Sequence, residues 1–211
     1  MRRARVLLAD DHALLLEAFR RALEPRFNVV GTVTDGTALL AEARRLEPDL
    51  VVLDVSMPGI DGLEVARRLR GEVPAARVVF LTVHDEPDMA AEAFRLGAFG
   101  YVLKTSALSD LVAALRAAMA GRRHLSRALA GGDPAALPQG PATPASPEEA
   151  LTPREIEVLR LLASGLSMKE AAAALGIAPR TVAFHKYRMM QTLATRSTAE
   201  LIRYAVRHRL A

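Results

Sequence analysis

Leu50-Val51-Val52-Leu53-Asp54-Val55-Ser56-Met57-Pro58-Gly59-Ile60-Asp61-Gly62 is the stretch that decides the fold. Its first four residues are apolar without alternation, the pattern of a strand buried on both faces, and the run stops on a carboxylate. Similar β-branched runs lie at Arg5–Ala9 (RVLLA), Asn28–Val33 (NVVGTV), Arg77–Thr82 (RVVFLT) and Tyr101–Leu103 (YVL). Between and after them, helical spacing occupies Ala13–Leu23, Leu39–Leu46, Leu63–Leu69, Met89–Leu96 and Leu108–Met119. Five such alternations predict an α/β fold, an open, doubly wound (βα)5 parallel sheet of flavodoxin-like type. In such sheets ligands gather at the carboxyl ends of the strands.

Those ends carry chemistry. Asp10 and Asp11 follow the first strand and Asp54 follows the third. If these strands are neighbours, the three carboxylates converge at the switch point. Their mutual repulsion calls for a cation, and oxygen-only ligands suit Mg²⁺ better than a transition metal. A carboxylate beside Mg²⁺ is also placed for in-line phosphoryl transfer. The plain alternative for Asp10 and Asp11 is that they cap the next helix. Thr82 ends the fourth strand and Lys104 follows the fifth. A hydroxyl and an ammonium facing three carboxylates suit a group that gains negative charge.

The rest of the 211 residues divides by charge. Residues 1–125 hold 17 Lys+Arg and 17 Asp+Glu, whereas residues 151–211 hold 10 Lys+Arg against Glu155, Glu157, Glu170 and Glu200. The basic excess is therefore confined to the C-terminal part, as expected for a module that meets a polyanion. Residues 125–148 are rich in Pro, Gly and Ala and read as a linker between a domain at 1–124 and a second at 149–211. The absence of Cys excludes disulfide scaffolds and thiol chemistry and fits a reducing cytoplasm. No signal peptide and no run of about 18 apolar residues is found, so neither secretion nor a membrane partner is expected.

The second domain shows no strand pattern. Thr152-Pro153-Arg154-Glu155 and Ser167-Met168-Lys169-Glu170 are capping boxes opening two helices. Gly176 ends the second helix, Pro179 opens a third to about Leu193, and a fourth covers about Thr198–Arg207. Four short helices with a tight turn have helix-turn-helix proportions, so this smaller domain is expected to be all-α.

With these residues in view, the first 120 positions resemble a response-regulator receiver domain, through Asp10-Asp11, the Asp54-to-Gly62 segment, Thr82 and the Tyr101-to-Lys104 spacing. The resemblance implies that Asp54 accepts a phosphoryl group from a sensor histidine kinase. It implies Mg²⁺ held by Asp11, Asp54 and the Ser56 backbone carbonyl, with Asp10 acting largely through water. Thr82 and Lys104 would bind phosphoryl oxygens, and Thr82 with Tyr101 would form a switch read on the face from the fourth to the fifth helix. Val83 departs from the smaller residue usual there, which bears on phosphorylation lifetime.

Residues 151–207 resemble the LuxR-type (NarL/FixJ) helix-turn-helix. The matching words are Leu151-Thr152-Pro153-Arg154-Glu155, Gly165-Leu166-Ser167, Lys169-Glu170-Ala171-Ala172, Leu175-Gly176-Ile177, Thr181-Val182 with His185, and Ala199-Glu200-Leu201. Within the third helix Val182, Met189 and Leu193 have the spacing of a buried stripe. No acid occurs between Glu170 and Glu200, so this stretch can approach phosphates without repulsion. The resemblance places Ala183, Phe184 and Tyr187 toward bases, and Lys169, Arg180, Thr181, Lys186 and Arg188 are the further candidate DNA contacts. Core or dimer-face packing is the alternative for Phe184 and Tyr187, and His185 reads as a packed structural residue. Ala178, at an N-cap, and Ala194, where Gly is usual, are departures.

The leading expectation is a non-enzymatic transcription regulator, switched by phosphorylation, that binds double-stranded DNA as a homodimer and has RNA polymerase as a further partner. A Mg²⁺-dependent phosphohydrolase is a rival, but Ser56 stands where many such enzymes need a second Asp. No Gly-rich phosphate loop follows the first strand. A DNA-binding protein that keeps the receiver only as a scaffold is the other rival, opposed by the intact set Asp10, Asp11, Asp54, Thr82 and Lys104.

Overall fold

The computed structural model describes residues 2–58, 60–106, 108–136, 151–208 and 210. The chain divides into two compact units, Met1–Gln139 and Gly140–Ala211. Gly59 of the acidic motif and positions 137–148 of the expected linker lie outside the described residues.

The first unit alternates β1 (Arg5–Ala9), α1 (Ala13–Leu23), β2 (Asn28–Val33), α2 (Gly36–Leu46), β3 (Leu50–Leu53), α3 (Gly62–Glu72), β4 (Arg77–Thr82), α4 (Pro87–Arg95), β5 (Gly100–Leu103) and α5 (Leu108–Met119), then adds β6 (His124–Leu125). The sheet order is β2-β1-β3-β4-β5-β6 and every pairing is parallel. β1 and β3 are thus neighbours, with Ala9 opposite Leu53. The chain reverses direction across the sheet at this pair, opening the crevice at its carboxyl edge. Val6, Leu8, Leu50 and Val52 pack with Leu16 and Leu23 of α1 and Leu111 and Leu115 of α5. The alternating Leu7, Val51 and Leu53 are equally buried on the opposite face, which is why these strands read as unbroken apolar runs.

The two-residue β6 was not foreseen. Leu125 pairs with Tyr101, and Ser126 and Leu129 are buried, so the first unit continues past position 124.

The second unit comprises α6 (Pro153–Ala163), α7 (Met168–Leu175), α8 (Pro179–Thr192) and α9 (Thr198–Arg207). Both expected capping boxes form, Thr152 with Glu155 and Ser167 with Glu170. Gly176 closes α7 in the left-handed conformation at φ 66°. Val158, Leu159, Val182, Met189, Leu193 and Leu201 form the core. The stripe expected on α8 is in place, and Ala178 caps that helix without a side-chain hydrogen bond. Among the described residues no helix is long and apolar enough to cross a membrane.

Candidate functional site

Parallel β1 and β3 end side by side and deliver Asp10 and Asp54 to one spot, where both are buried. Lys104, immediately after β5, reaches across from the other side. Its Nζ lies 2.6 Å from Asp10 Oδ2 and 2.7 Å from Asp54 Oδ2. One cation thus compensates two buried carboxylates, an arrangement whose loss would leave charge uncompensated in a dry site. Burial pushes the Asp54 carboxyl above its ordinary range, with Lys104 opposing and Asp10 adding to the rise. Asp54 Oδ2 is held by Lys104, whereas Oδ1 is buried and has no hydrogen-bond partner among the described residues. A buried, unpaired carboxylate oxygen is costly unless a ligand completes it.

The loop behind Asp54 is fixed by close packing. Gly62 opens α3 with its amide donating to the Val55 carbonyl at 2.8 Å, and Asp61 caps the helix by accepting from the Glu64 amide at 2.9 Å. A side chain at position 62 would overlap the Asp54 backbone, since a Cβ there would sit 2.1 Å from its carbonyl oxygen. The glycine is a condition for the position of Asp54.

The other expected site residues are placed as follows. Asp11 is the exposed member of the acidic pair. Thr82 ends β4, is fully buried, and its carbonyl accepts the Lys104 amide at 2.6 Å. Tyr101 is fully buried, and its hydroxyl donates to the His84 carbonyl at 3.1 Å. Burial holds that phenol well above its ordinary range, with Glu86, Asp54 and Asp85 adding to the effect. Ser56 turns its hydroxyl to His84 Nε2 at 2.6 Å, and its amide favours the charged Asp54 carboxylate without making a hydrogen bond that satisfies Oδ1. Val83 is exposed.

Two histidines were missed in the sequence. His12 Nδ1 lies 2.6 Å from Asp11 Oδ1 and 3.1 Å from Asp10 Oδ1, so the site is not surrounded by oxygen alone. Asp10, Asp11 and His12 form a group able to hold a metal ion. Only the consecutive letters Asp-Asp-His hinted at this. His84, buried two residues after Thr82, had no sequence signal beyond that spacing.

In the second unit, α8 separates the candidate contacts. Arg180 and Tyr187 are exposed, Ala183 and Lys186 partly so, and Lys169 is exposed on α7. Positions 180, 183 and 187 share one helix face. Thr181 and Phe184 are buried, which corrects their expected outward placement. Arg188, expected to face phosphate, is instead 14% exposed at its side chain and pairs with the buried Glu155, Nε to Oε1 at 3.3 Å. His185 is packed inside, its ring edge-on to Phe184.

Comparison with known proteins agrees with both halves. Residues 6–116 match the response regulator receiver domain, and residues 149–205 match the bacterial regulatory proteins of the luxR family. The chain belongs to the response regulators. It is 34% identical over 208 residues to the response regulator UvrY of Escherichia coli (strain K12), covering 97% of this chain and 94% of that protein. It is 36% identical over 207 residues to the response regulator GacA of Pseudomonas aeruginosa, covering 97% and 96%. Among solved structures, the RcsB response regulator of Salmonella typhimurium aligns over 98% of this chain and 99% of its own at 29% identity, with a TM-score of 0.58. RcsB has also been solved in complex with DNA, and that structure aligns with a TM-score of 0.61 at 29% identity over 97% and 98% of the two chains. This response regulator is therefore a two-component transcription regulator with a receiver domain and a LuxR-type DNA-binding domain. The family is one of transcriptional regulators rather than dedicated enzymes.

Proposed function

We propose that Asp54 is the phosphoacceptor and that its modification switches dimerisation and sequence-specific DNA binding. The observation that carries this reading is the asymmetry of the Asp54 carboxylate, one oxygen fixed by Lys104 and the other buried and unpartnered. Oδ1 attacks the phosphorus of a phosphohistidine presented by a sensor histidine kinase. The new P–O bond forms as the P–N bond breaks, and the departing imidazole keeps the electron pair and takes up a proton. Lys104 holds Oδ2 during attack and then faces the phosphoryl oxygens, with the Thr82 hydroxyl as a second donor.

The carboxylates gathered at this edge fit a hard divalent cation, with Asp10, Asp11, Asp54 and the Ser56 carbonyl as the residues that would hold Mg²⁺. When bound, Mg²⁺ neutralises charge on the transferred group and on the carboxylates that face it. Water hydrolyses the acyl phosphate, returning the carboxylate and inorganic phosphate.

In the DNA-binding domain, Arg180, Ala183, Lys186 and Tyr187 form the outward face of α8 in this reading, with Lys169 nearby on α7. Ala183 and Tyr187 offer few long donors, so base reading leans on apolar contact with thymine methyls and on DNA shape. Homodimers bind double-stranded DNA, and RNA polymerase is the downstream partner.

Acetyl phosphate with Mg²⁺ should add one phosphoryl group by intact mass, absent in Asp54→Ala. Beryllofluoride should raise both dimer fraction and DNA affinity. Addition of the group to Asp54→Ala would overturn the acceptor, and unchanged DNA affinity with the analogue would overturn the switch.

A further inference from the structure

Glu155 is fully buried at the first turn of α6, and its carboxylate is used on both sides. Oε2 accepts the Thr152 amide at 2.8 Å and the Thr152 hydroxyl at 3.0 Å. Oε1 faces Arg188 Nε at 3.3 Å, an ion pair rather than a well-aligned hydrogen bond. The capping box that starts α6 is therefore also the anchor of a cation on α8, the helix read as lying in the groove. A charge engaged with a buried carboxylate is not free to replace a counterion on DNA.

We infer that Arg188 is a positioning residue: with Glu155 it forms a strut that sets the angle of α8 against the start of α6, and it makes no phosphate contact. The inference rests on the reading of α8 as the groove helix. Within that reading it leaves Arg180 and Lys186 as the helix's phosphate-facing cations. It also ties base recognition to Thr152, the first turn of the domain. Breaking the strut lets α8 rotate or shift, which disturbs the placement of Ala183 and Tyr187 on base edges while leaving the counterion balance intact.

Three roles for Arg188 give three distinct results. The probe is a duplex enriched by the full-length protein from a randomised pool, compared with a scrambled duplex of equal length. Affinities are measured across a salt series well below the melting temperature. For Arg188→Gln, discrimination between the duplexes should fall roughly tenfold, the size of one mismatched base pair, with an unchanged salt slope. Lys186→Gln should instead reduce the slope by about 0.9. In thermal melting, the effects of Glu155→Gln and Arg188→Gln should be non-additive, because each single variant strands the partner's charge or polar group.

A slope reduced by Arg188→Gln as much as by Lys186→Gln overturns the strut in favour of a phosphate contact. A lower melting temperature with unchanged discrimination also overturns it, reducing the pair to a stabilising contact. If Lys186→Gln leaves the slope intact, the reading of α8 itself fails, and the strut with it. Should Arg188→Gln fail to fold, Glu155→Gln keeps the Thr152 cap acceptor and still weakens the pair. It must then show the same loss of discrimination at constant slope, and unchanged discrimination overturns the inference.

Discussion

Replacing Gly62 by alanine should damage the proposed phosphoacceptor site without touching any group that carries its chemistry. The new methyl would lie 2.1 Å from the Asp54 carbonyl oxygen and 2.9 Å from Val55 Cα, whereas ordinary contact begins near 3.4 Å. One of the two backbones must therefore retreat by more than about 1 Å. Neither is loose: the Gly62 amide is bonded to Val55 and the Asp54 amide to the Ala9 carbonyl at 3.0 Å. Overpacking against fixed backbone costs about 1–3 kcal/mol, which lowers the melting temperature of the first unit by several degrees. Displacing a reacting carboxylate by about 1 Å costs on the order of 100-fold in rate. Gly71 is the internal control, because it lies in the same helix and a Cβ there meets nothing within 4 Å. Gly71→Ala should stabilise by up to about 1 kcal/mol and leave phosphorylation unchanged. Calorimetry of the full chain and acetyl-phosphate labelling followed by mass read both effects. Labelling and melting of Gly62→Ala at the level of the unmodified protein would refute the reasoning.

Three further outcomes follow from particular groups. Burial raises the Asp54 carboxyl in the folded state despite Lys104, so its stabilising contribution is present below the unfolded value of about 3.8 and is lost as pH rises through the folded value. Asp54→Asn should therefore melt higher than the unmodified protein at neutral pH, with the gain fading on acidification through the carboxylate range; a gain that does not change with pH would contradict this. Ala178→Ser should stabilise the second unit by about 0.5–2 kcal/mol in a denaturant titration, since the N-cap of α8 has no side-chain acceptor. Ala194 sits at φ 52°, in the left-handed region, so Ala194→Gly should raise the second unit's melting temperature by relieving about 1–2 kcal/mol of strain, partly offset by glycine's entropy; a lower temperature would show the turn to be unstrained.

Strands β1, β3, β4 and β5 were legible because each is buried on both faces and reads as a nearly unbroken apolar run, the edge strand β2 being mostly half-buried, and Asp10, Asp54 and Lys104 were legible because each stands where such a run stops. β6 was not, since two residues carry no period; its burial comes from the edge of β5 and not from its own composition. The facing of α8 was only half legible. Val182, Met189 and Leu193 give one stripe, but the helix packs against both α6 and α7, so Thr181, Phe184 and His185 are buried too. A helix covered on two sides loses the contrast on which amphipathic reading depends. His12 adjoins Asp11 in the chain and was hinted at only by that run of letters, whereas His84 meets Ser56 through the pairing of β3 with β4, which no local spacing reads.

Asp54 and Glu155 show how much of a carboxylate's role lies in its partners. Each stands beside a helix start, each is buried, and each faces a cation on another element. Glu155 gives Oε2 to the Thr152 cap, while its Oε1, buried without a hydrogen bond, faces Arg188 at 3.3 Å between α6 and α8, so the group is a fastening. Asp54 has one oxygen engaged by Lys104 and the other shut away without a partner, at a crevice that also holds Asp10, Asp11 and His12. Each of the two acids thus keeps one buried oxygen without a hydrogen bond, but that of Asp54 lies at the carboxyl end of a parallel strand, where ligands gather. Composition and helix-start position do not distinguish the two acids. What separates the fastening from the proposed phosphoryl acceptor is where the unused oxygen lies, between two packed helices in one case and at the carboxyl edge of a parallel sheet beside further acids in the other.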